Sequence, residues 1–221
     1  MSQSDDMHLA GRFTIADWQE RRPPAGALAD TWDELFRDFF VQRLKSRYLE
    51  PIDLLLHKGG YQGVGFSVMT ILCSLVEFLE STAQGINYHW TRNTKELGEF
   101  EYGQSGKIFT SFLSTRSPFS EVFNAEVAHD FYTNVRCALL HEASTKNGWR
   151  IWAGRGDGCI ANVADRIIYR NNFRHAIDEY IQGYGRELVE SHDLQAAFIR
   201  KFDHLARMSA AMYSRQPHAT S

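Results

Sequence analysis

Arg136 and His141, five residues apart in the run Arg136-Cys137-Ala138-Leu139-Leu140-His141, are the pair in this sequence best suited to chemistry on a phosphodiester. Histidine exchanges a proton near neutral pH, and the permanently charged fork of arginine matches a phosphate. Cleaving RNA without a metal needs both functions: a group that removes or returns a proton at a ribose hydroxyl, and a cation that stabilises the charged phosphorane. Near the end of a helix, His141 meets the negative pole of the helix dipole, which favours its protonated form. Asn134, on the same face, is the candidate orienting partner for His141. Glu77 and Glu80 are candidate carboxylates for Arg136, and a purely structural pairing of Arg136 with one of them is the alternative.

The spacing poses a geometric problem. Five residues at about 100° each leave two side chains on an α-helix roughly 140° apart, so one helix does not aim both at one phosphate. The reach of arginine resolves this, or a second copy of the helix presented across a two-fold axis. Chance alone supplies about one arginine–histidine pair at this spacing in a chain of this composition, and the chain holds two. The second is Arg170-Asn171-Asn172-Phe173-Arg174-His175. There, Arg170 closes a predicted strand, Asn172 caps a helix, and Phe173, Ala176, Ile177, Tyr180 and Ile181 form its buried face. That leaves Arg174 and His175 on the polar side and favours the first pair.

The elements that must carry Arg136 and His141 follow from apolar periodicity. Thr31 and Glu34 have capping-box spacing ahead of a helix over 30–48, with Trp32, Leu35, Phe36, Phe39 and Phe40 at helical intervals. Pro51 kinks or restarts it, and Gly59-Gly60 ends the segment. A second helix over 65–82 is apolar nearly all round, which places it at the centre of a bundle. Residues 86–106 read as a long connection with at most one short element. A helix over 107–114 precedes Ser117-Pro118, and the motif helix spans 120–144 with Phe131, Val135, Leu139 and Ala143 every fourth residue. Helices over 172–190 and 193–211 complete the chain.

Between them, Trp149 to Trp152 and Arg166 to Tyr169 flank Gly154, Gly156 and Gly158, which predicts a small β-hairpin over about 148–170. No Lys-Ser/Thr follows these glycines, so a turn is expected rather than a phosphate loop. Residues 146–174 hold six Lys or Arg against Asp157 and Asp165, with Trp149, Trp152 and Tyr169 interleaved. Cations that track phosphates and rings that stack on bases suit single-stranded RNA. Lys146, Arg150, Arg155, Arg166 and Arg170 are the candidate RNA contacts.

Composition sets the outer bounds. In 221 residues, 43% are hydrophobic and 23% charged, as in one folded domain, assigned to 12–213 with loose tails at 1–11 and 214–221. A net charge of −3 excludes a global positive field. Cys73, Cys137 and Cys159 lack metal or disulfide spacing, and the histidines show no paired ligand spacing, so no metal and no cofactor is expected. The polar start lacks a secretory pattern, and Val64 to Leu79 is shorter than the roughly 20 residues of a membrane span. A cytoplasmic protein without membrane contact is the expectation.

The stretch Phe131-Tyr132-x-x-Val135-Arg136-Cys137-Ala138-Leu139-Leu140-His141-Glu142-Ala143, continued by Gly148-Trp149-Arg150-Ile151, resembles the Arg-x4-His motif of the HEPN superfamily. It is most similar to the bacterial and plasmid-encoded branch in which Arg-Cys-x-Leu-Leu-His precedes a short hairpin. The resemblance implies an all-α helical bundle, usually a homodimer, and a metal-independent RNase with Arg136 and His141 as its site. It also implies a toxin or antiphage setting with an antitoxin-like partner. Cys137 departs from the polar residue that usually follows the motif arginine, which leaves a catalytically silent nucleotide-, RNA- or protein-binding module as the alternative.

Overall fold

The computed structural model describes residues 7–24, 26–58 and 63–213. Among them are seven helices and seven short strands, so the fold is mainly α. The expected stop at Gly59-Gly60, residues 1–6 and the segment 214–221 lie outside the described residues. The helices are α1 (Ile15–Arg21), α2 (29–57), α3 (Val64–Gln84), α4 (Ser105–Thr115), α5 (125–142), α6 (Arg170–Glu190) and α7 (His192–Tyr213).

The expected loose start is folded from residue 7 onward. Strand β1 (His8–Ala10) pairs antiparallel with β2 (Phe13–Thr14), and Leu9 and Ala10 are completely buried. The Arg43 guanidinium donates to the Leu9 carbonyl at 2.5 Å. A run of three residues is too short for periodicity to reveal. The capping box also lies elsewhere. Thr14 accepts from the Asp17 backbone at 3.2 Å, and the Asp17 carboxylate accepts from the Thr14 N–H at 2.7 Å. Thr31 falls inside α2, whose N-cap is Leu28 with no side-chain cap. Helix α2 runs on through Pro51, which sits in the first turn of Glu50–His57, and two π-helical stretches, Phe36–Val41 and Lys45–Leu49, interrupt its α geometry.

Helix α3 packs against α2, α4, α6 and α7, the central position its composition predicts. At 21 residues it is longer than expected, and among the described residues it is the one helix long and apolar enough to cross a membrane. Half of its most apolar stretch is buried in the bundle. Its turn onto the next segment is held by α7: Lys201 Nζ donates to the Ser81 hydroxyl and the Ile86 carbonyl, both at 2.9 Å. Burial pushes the Lys201 ammonium down to about 8. The core is rich in phenylalanine, with Phe109, Phe112, Phe131 and Phe173 of α4, α5 and α6 meeting one another or Phe119, between α4 and α5, at tilted or stacked angles.

The expected helix over 120–144 is interrupted. A 3₁₀ turn (Phe119–Glu121) comes first, and Asn124 then caps α5 by accepting from the Val127 N–H at 2.9 Å. Helix α5 stops at Glu142, where Ala143 takes φ 51°. That left-handed conformation disfavours any residue with a Cβ. Ala143→Gly should therefore stabilise the fold by about 0.5–1 kcal/mol, read as a rise in melting temperature.

Strands β3 (Asn87–Tyr88) and β4 (Glu101–Tyr102) form a short parallel pair after α3, and the expected hairpin is a three-stranded sheet in which β7 (Ile167–Tyr169) lies between β5 (Arg150–Trp152) and β6 (Ala161–Asn162). Strand β6 (Ala161–Asn162) pairs antiparallel with β7 (Ile167–Tyr169), while β5 (Arg150–Trp152) pairs parallel with β7. Helix α6 starts at Arg170, immediately after β7. Asn172 does not cap it; its amide braces the glycine loop by donating to the Arg155 and Cys159 carbonyls, both at 2.8 Å.

Candidate functional site

Arg136 and His141 lie on α5, whose first half packs Phe131 and Val135 into the core. Within it, Tyr132–Cys137 is π-helical, with hydrogen bonds from residue i to i+5. Tyr132 and Cys137 consequently come together, and burial followed by the Cys137 contact pushes the Tyr132 phenol up to about 12. Arg136 lies with its guanidinium carbon 5.5 Å from the Tyr132 ring centre. Its Nη2 faces Glu77 Oε2 on α3 at 3.5 Å. The other oxygen of that carboxylate accepts from the Tyr102 hydroxyl at 3.1 Å.

Glu77 thus holds Arg136 and Tyr102 with its two oxygens. Burial and the negative Glu77 keep the Tyr102 phenol well above its ordinary range, so it stays a donor. An N–O separation of 3.5 Å at a half-buried position is a weak pair. Glu77 is the acceptor Arg136 has among the described residues, which leaves most of the five N–H donors of the guanidinium for a ligand. Gly106, at the start of α4, makes room for this arrangement, since a Cβ there would come within 2.9 Å of Tyr132 Cε1.

His141 is on the last turn of α5, exposed, next to Leu140, which is 56% exposed. It has no hydrogen-bond partner among the described residues. Asn134, its expected orienting partner, donates its amide to Asp130 Oδ1 at 2.8 Å. Asp130 Oδ2 in turn accepts from the Trp149 indole at 2.7 Å, and the Asn134 carbonyl accepts from the Lys146 N–H at 2.8 Å. Asn134 therefore fastens the end of α5 to the sheet.

Glu80, expected near Arg136, belongs to another cluster. It is 1% exposed and accepts from Arg116 Nε at 2.8 Å, Ser111 Oγ at 2.9 Å and Gln84 Nε2 at 2.6 Å. The carboxylate beside Arg116 raises the guanidinium above its ordinary range, although burial, the largest influence, works the other way.

The five expected RNA contacts are scattered and mostly engaged. Lys146 pairs with Glu142 at 2.9 Å, Arg155 with Asp157 at 2.9 Å, Arg150 donates to the Asp165 carbonyl at 3.0 Å, and Arg166 to the Asn147 carbonyl. Arg170 is packed beside Gly65, its Nε buried without a partner. Of the rival pair, His175 is exposed and lines a cavity of about 690 Å³ with the glycine loop. Arg174 is not on the polar side: its side chain is 13% exposed and ion-paired to Asp178.

Comparison of the chain with protein-family models, with curated proteins and with solved structures found no match. Among the described residues no group of three or more His, Cys, Asp or Glu is placed to hold a metal ion. The groups brought together are an exposed imidazole at the end of α5, a guanidinium facing one carboxylate, and the Tyr102 phenol donating to that same carboxylate.

Proposed function

We propose that this protein is an HEPN-like, metal-independent endoribonuclease whose site is completed when two copies meet, with His141 as general acid/base and Arg136 as phosphate clamp. The observation that carries this reading is the surface around the pair. Helix α3, the most apolar of the bundle, carries Phe66 and Ser74 exposed and Thr70 and Glu77 half-buried in a stripe along one side. The Thr70 and Ser74 hydroxyls turn back to the Phe66 and Thr70 carbonyls at 2.9 and 3.0 Å, which removes polarity from that stripe. Arg136 borders it through Glu77. A second copy covering the stripe would bring another α5 across the two-fold axis and meet the 140° problem. A cytoplasmic setting accords with three free thiols, and the toxin or antiphage role with an antitoxin-like partner is what the motif resemblance implies.

In the reaction, neutral His141 takes the proton from the ribose 2′-hydroxyl, the 2′-oxygen attacks phosphorus, and the bond to the 5′-oxygen breaks. A protonated histidine returns a proton to that leaving oxygen, giving a 2′,3′-cyclic phosphate and a 5′-hydroxyl. Arg136 neutralises the phosphorane.

His141→Ala and Arg136→Ala should each lower RNA cleavage in EDTA by at least about 100-fold while leaving thermal stability close to wild type. Cleavage that survives both substitutions sinks the assignment, and loss with His175→Ala instead transfers it to the second pair. Activity persisting in a protein that sediments as a monomer at micromolar concentration removes the composite site. The Glu77–Arg136 contact favours a second reading, a catalytically silent binding module in which Glu77 occupies the guanidinium. In that case no RNA is cut by the wild type.

A further inference from the structure

The segment between α3 and α4 is an aromatic ribbon. Strand β3 (Asn87–Tyr88) pairs parallel with β4 (Glu101–Tyr102), with Asn87 opposite Glu101 and Tyr88 opposite Tyr102. Side chains alternate between the faces of such a ribbon. Tyr88 and Tyr102 meet edge to face at 5.6 Å, and His89 Nδ1 meets Glu101 Oε2 at 2.7 Å. Trp90 follows β3 by two residues and Phe100 directly precedes β4, so the two rings flank the ladder at its opposite ends. Tyr88, Trp90 and Phe100 are 50%, 66% and 40% exposed. Three large rings on one short connection, each at least two-fifths exposed, carry a cost that folding alone does not justify.

We infer that this ribbon is a stacking platform for the unpaired bases of an RNA strand, with Tyr88, Trp90 and Phe100 as its rings and Arg92 and Arg200 as its cations. The inference rests on the ribonuclease reading above and specifies that the substrate is single-stranded where it meets the protein. The Arg92 guanidinium carbon lies 5.9 Å from the Trp90 ring centre, and that of Arg200 lies 4.4 Å from Phe100. A guanidinium on one face of a ring leaves the other face for a base and supplies charge for the adjoining phosphate. A platform for a purely apolar partner would not need these cations.

The carboxylates nearby are spent on bracing. Glu96 accepts from Thr91 Oγ1 at 3.0 Å and Asn93 Nδ2 at 3.2 Å. Glu101 accepts from His89 and from the Gly98 N–H at 3.0 Å, and the His89 contact, its strongest influence, holds its carboxyl below the usual range. Glu99 then stands against Arg92, Lys95 and Arg200. The ribbon is also tied to the bundle, since Arg200 Nη2 donates to the Gln84 carbonyl at 3.3 Å and its Nε to the Gly85 carbonyl at 3.4 Å. A platform ordered in advance costs little to bind.

The platform is continuous with Arg136. Tyr102, in contact with Tyr88, donates to the same Glu77 carboxylate that faces Arg136, so the ribbon adjoins the Arg136 cluster. A net charge of −3 gives no general field to hold a duplex by its phosphates. Ring stacking must therefore supply the affinity.

The test uses the full chain carrying His141→Ala, so that RNA is not consumed, and labelled 12-nucleotide oligouridylate, oligoadenylate and a duplex of equal length, read by fluorescence anisotropy. Adding Trp90→Ala or Phe100→Ala should weaken single-strand binding about 5- to 150-fold per ring removed with unchanged melting temperature. Trp90→Phe should restore most of it, and duplex should compete poorly. Unchanged binding in Trp90→Ala, equal competition by duplex, or loss of a wild-type dimer on Trp90→Ala without loss of RNA binding each overturn the platform. If those results appear while His141→Ala abolishes cleavage by the otherwise wild-type chain, the ribonuclease reading stands without it. Ring-dependent binding with no wild-type cleavage keeps the platform and removes the ribonuclease. A wild-type chain that neither binds nor cuts RNA removes both.

Discussion

Glu80→Ala should lower the unfolding free energy by about 3 kcal/mol, which in a domain of this size corresponds to a loss of roughly 6–12 °C in melting temperature. Glu80 is the most enclosed carboxylate among the described residues, and its two oxygens serve three donors, Gln84 on α3, Ser111 on α4 and Arg116 directly after α4. Removing one member of a buried pair leaves the other charge uncompensated, which typically costs about 3–5 kcal/mol. Arg116 retains 31% of its side-chain exposure and regains some hydration, so the low end of that range applies. Glu80→Gln keeps an acceptor but not the charge and should fall between alanine and wild type. Urea unfolding at neutral pH measures all three, and an alanine variant within about 1 kcal/mol of wild type would show that the cluster is not a stabilising joint between α3 and α4.

Gly85→Ala should cost a similar amount, about 3 kcal/mol or more, for a different reason. Gly85 ends α3 with φ +65°, and a Cβ there would lie 2.5 Å from Ala197 Cα and 2.8 Å from the Ala197 carbonyl oxygen. The left-handed conformation accounts for about 1 kcal/mol of this. The overlap is the larger part, because it falls on backbone of α7 that cannot rotate aside as a side chain would. Gly183→Ala is the control: its Cβ meets only the end of Arg186, at 3.9 Å, within a helix. That variant should gain up to about 1 kcal/mol. If Gly85→Ala unfolds at the same urea concentration as wild type, α3 and α7 do not approach as described.

The helices were legible because they repeat. The buried face of α6, from Phe173 through Ile181, and the all-round apolarity of α3 follow directly from their spacing. Features that depend on distant partners were not. The parallel pairing of β5 with β7 has no local signature, whereas two β-rich runs around glycines look like a hairpin. The Leu9-Ala10 strand is too short to show a period. At the site, sequence alone offers Glu77 and Glu80 equally as the carboxylate for Arg136. They stand three positions apart on one helix, and only the packing of α4 against α3 sends Glu80 to Arg116. The aromatic ribbon has a weak local signature, Tyr88-x-Trp90 and Phe100-x-Tyr102 at strand spacing, set within a stretch whose polar composition reads as a loop.

The π-helical stretch at Tyr132–Cys137 has a consequence for how the motif is counted. A π turn accommodates one residue more than an α turn at nearly the same axial position, so it behaves as an insertion that the helix has absorbed. A relative lacking that residue ahead of Arg136 would keep α geometry throughout. Its Arg-x4-His run would then be turned by about 100° about the helix axis relative to Phe131 and the core. Sequence spacing between Arg136 and His141 would be identical in the two chains, yet the pair would face different neighbours. The length of the helix before the motif, and not only the motif itself, therefore decides which surface these two residues serve.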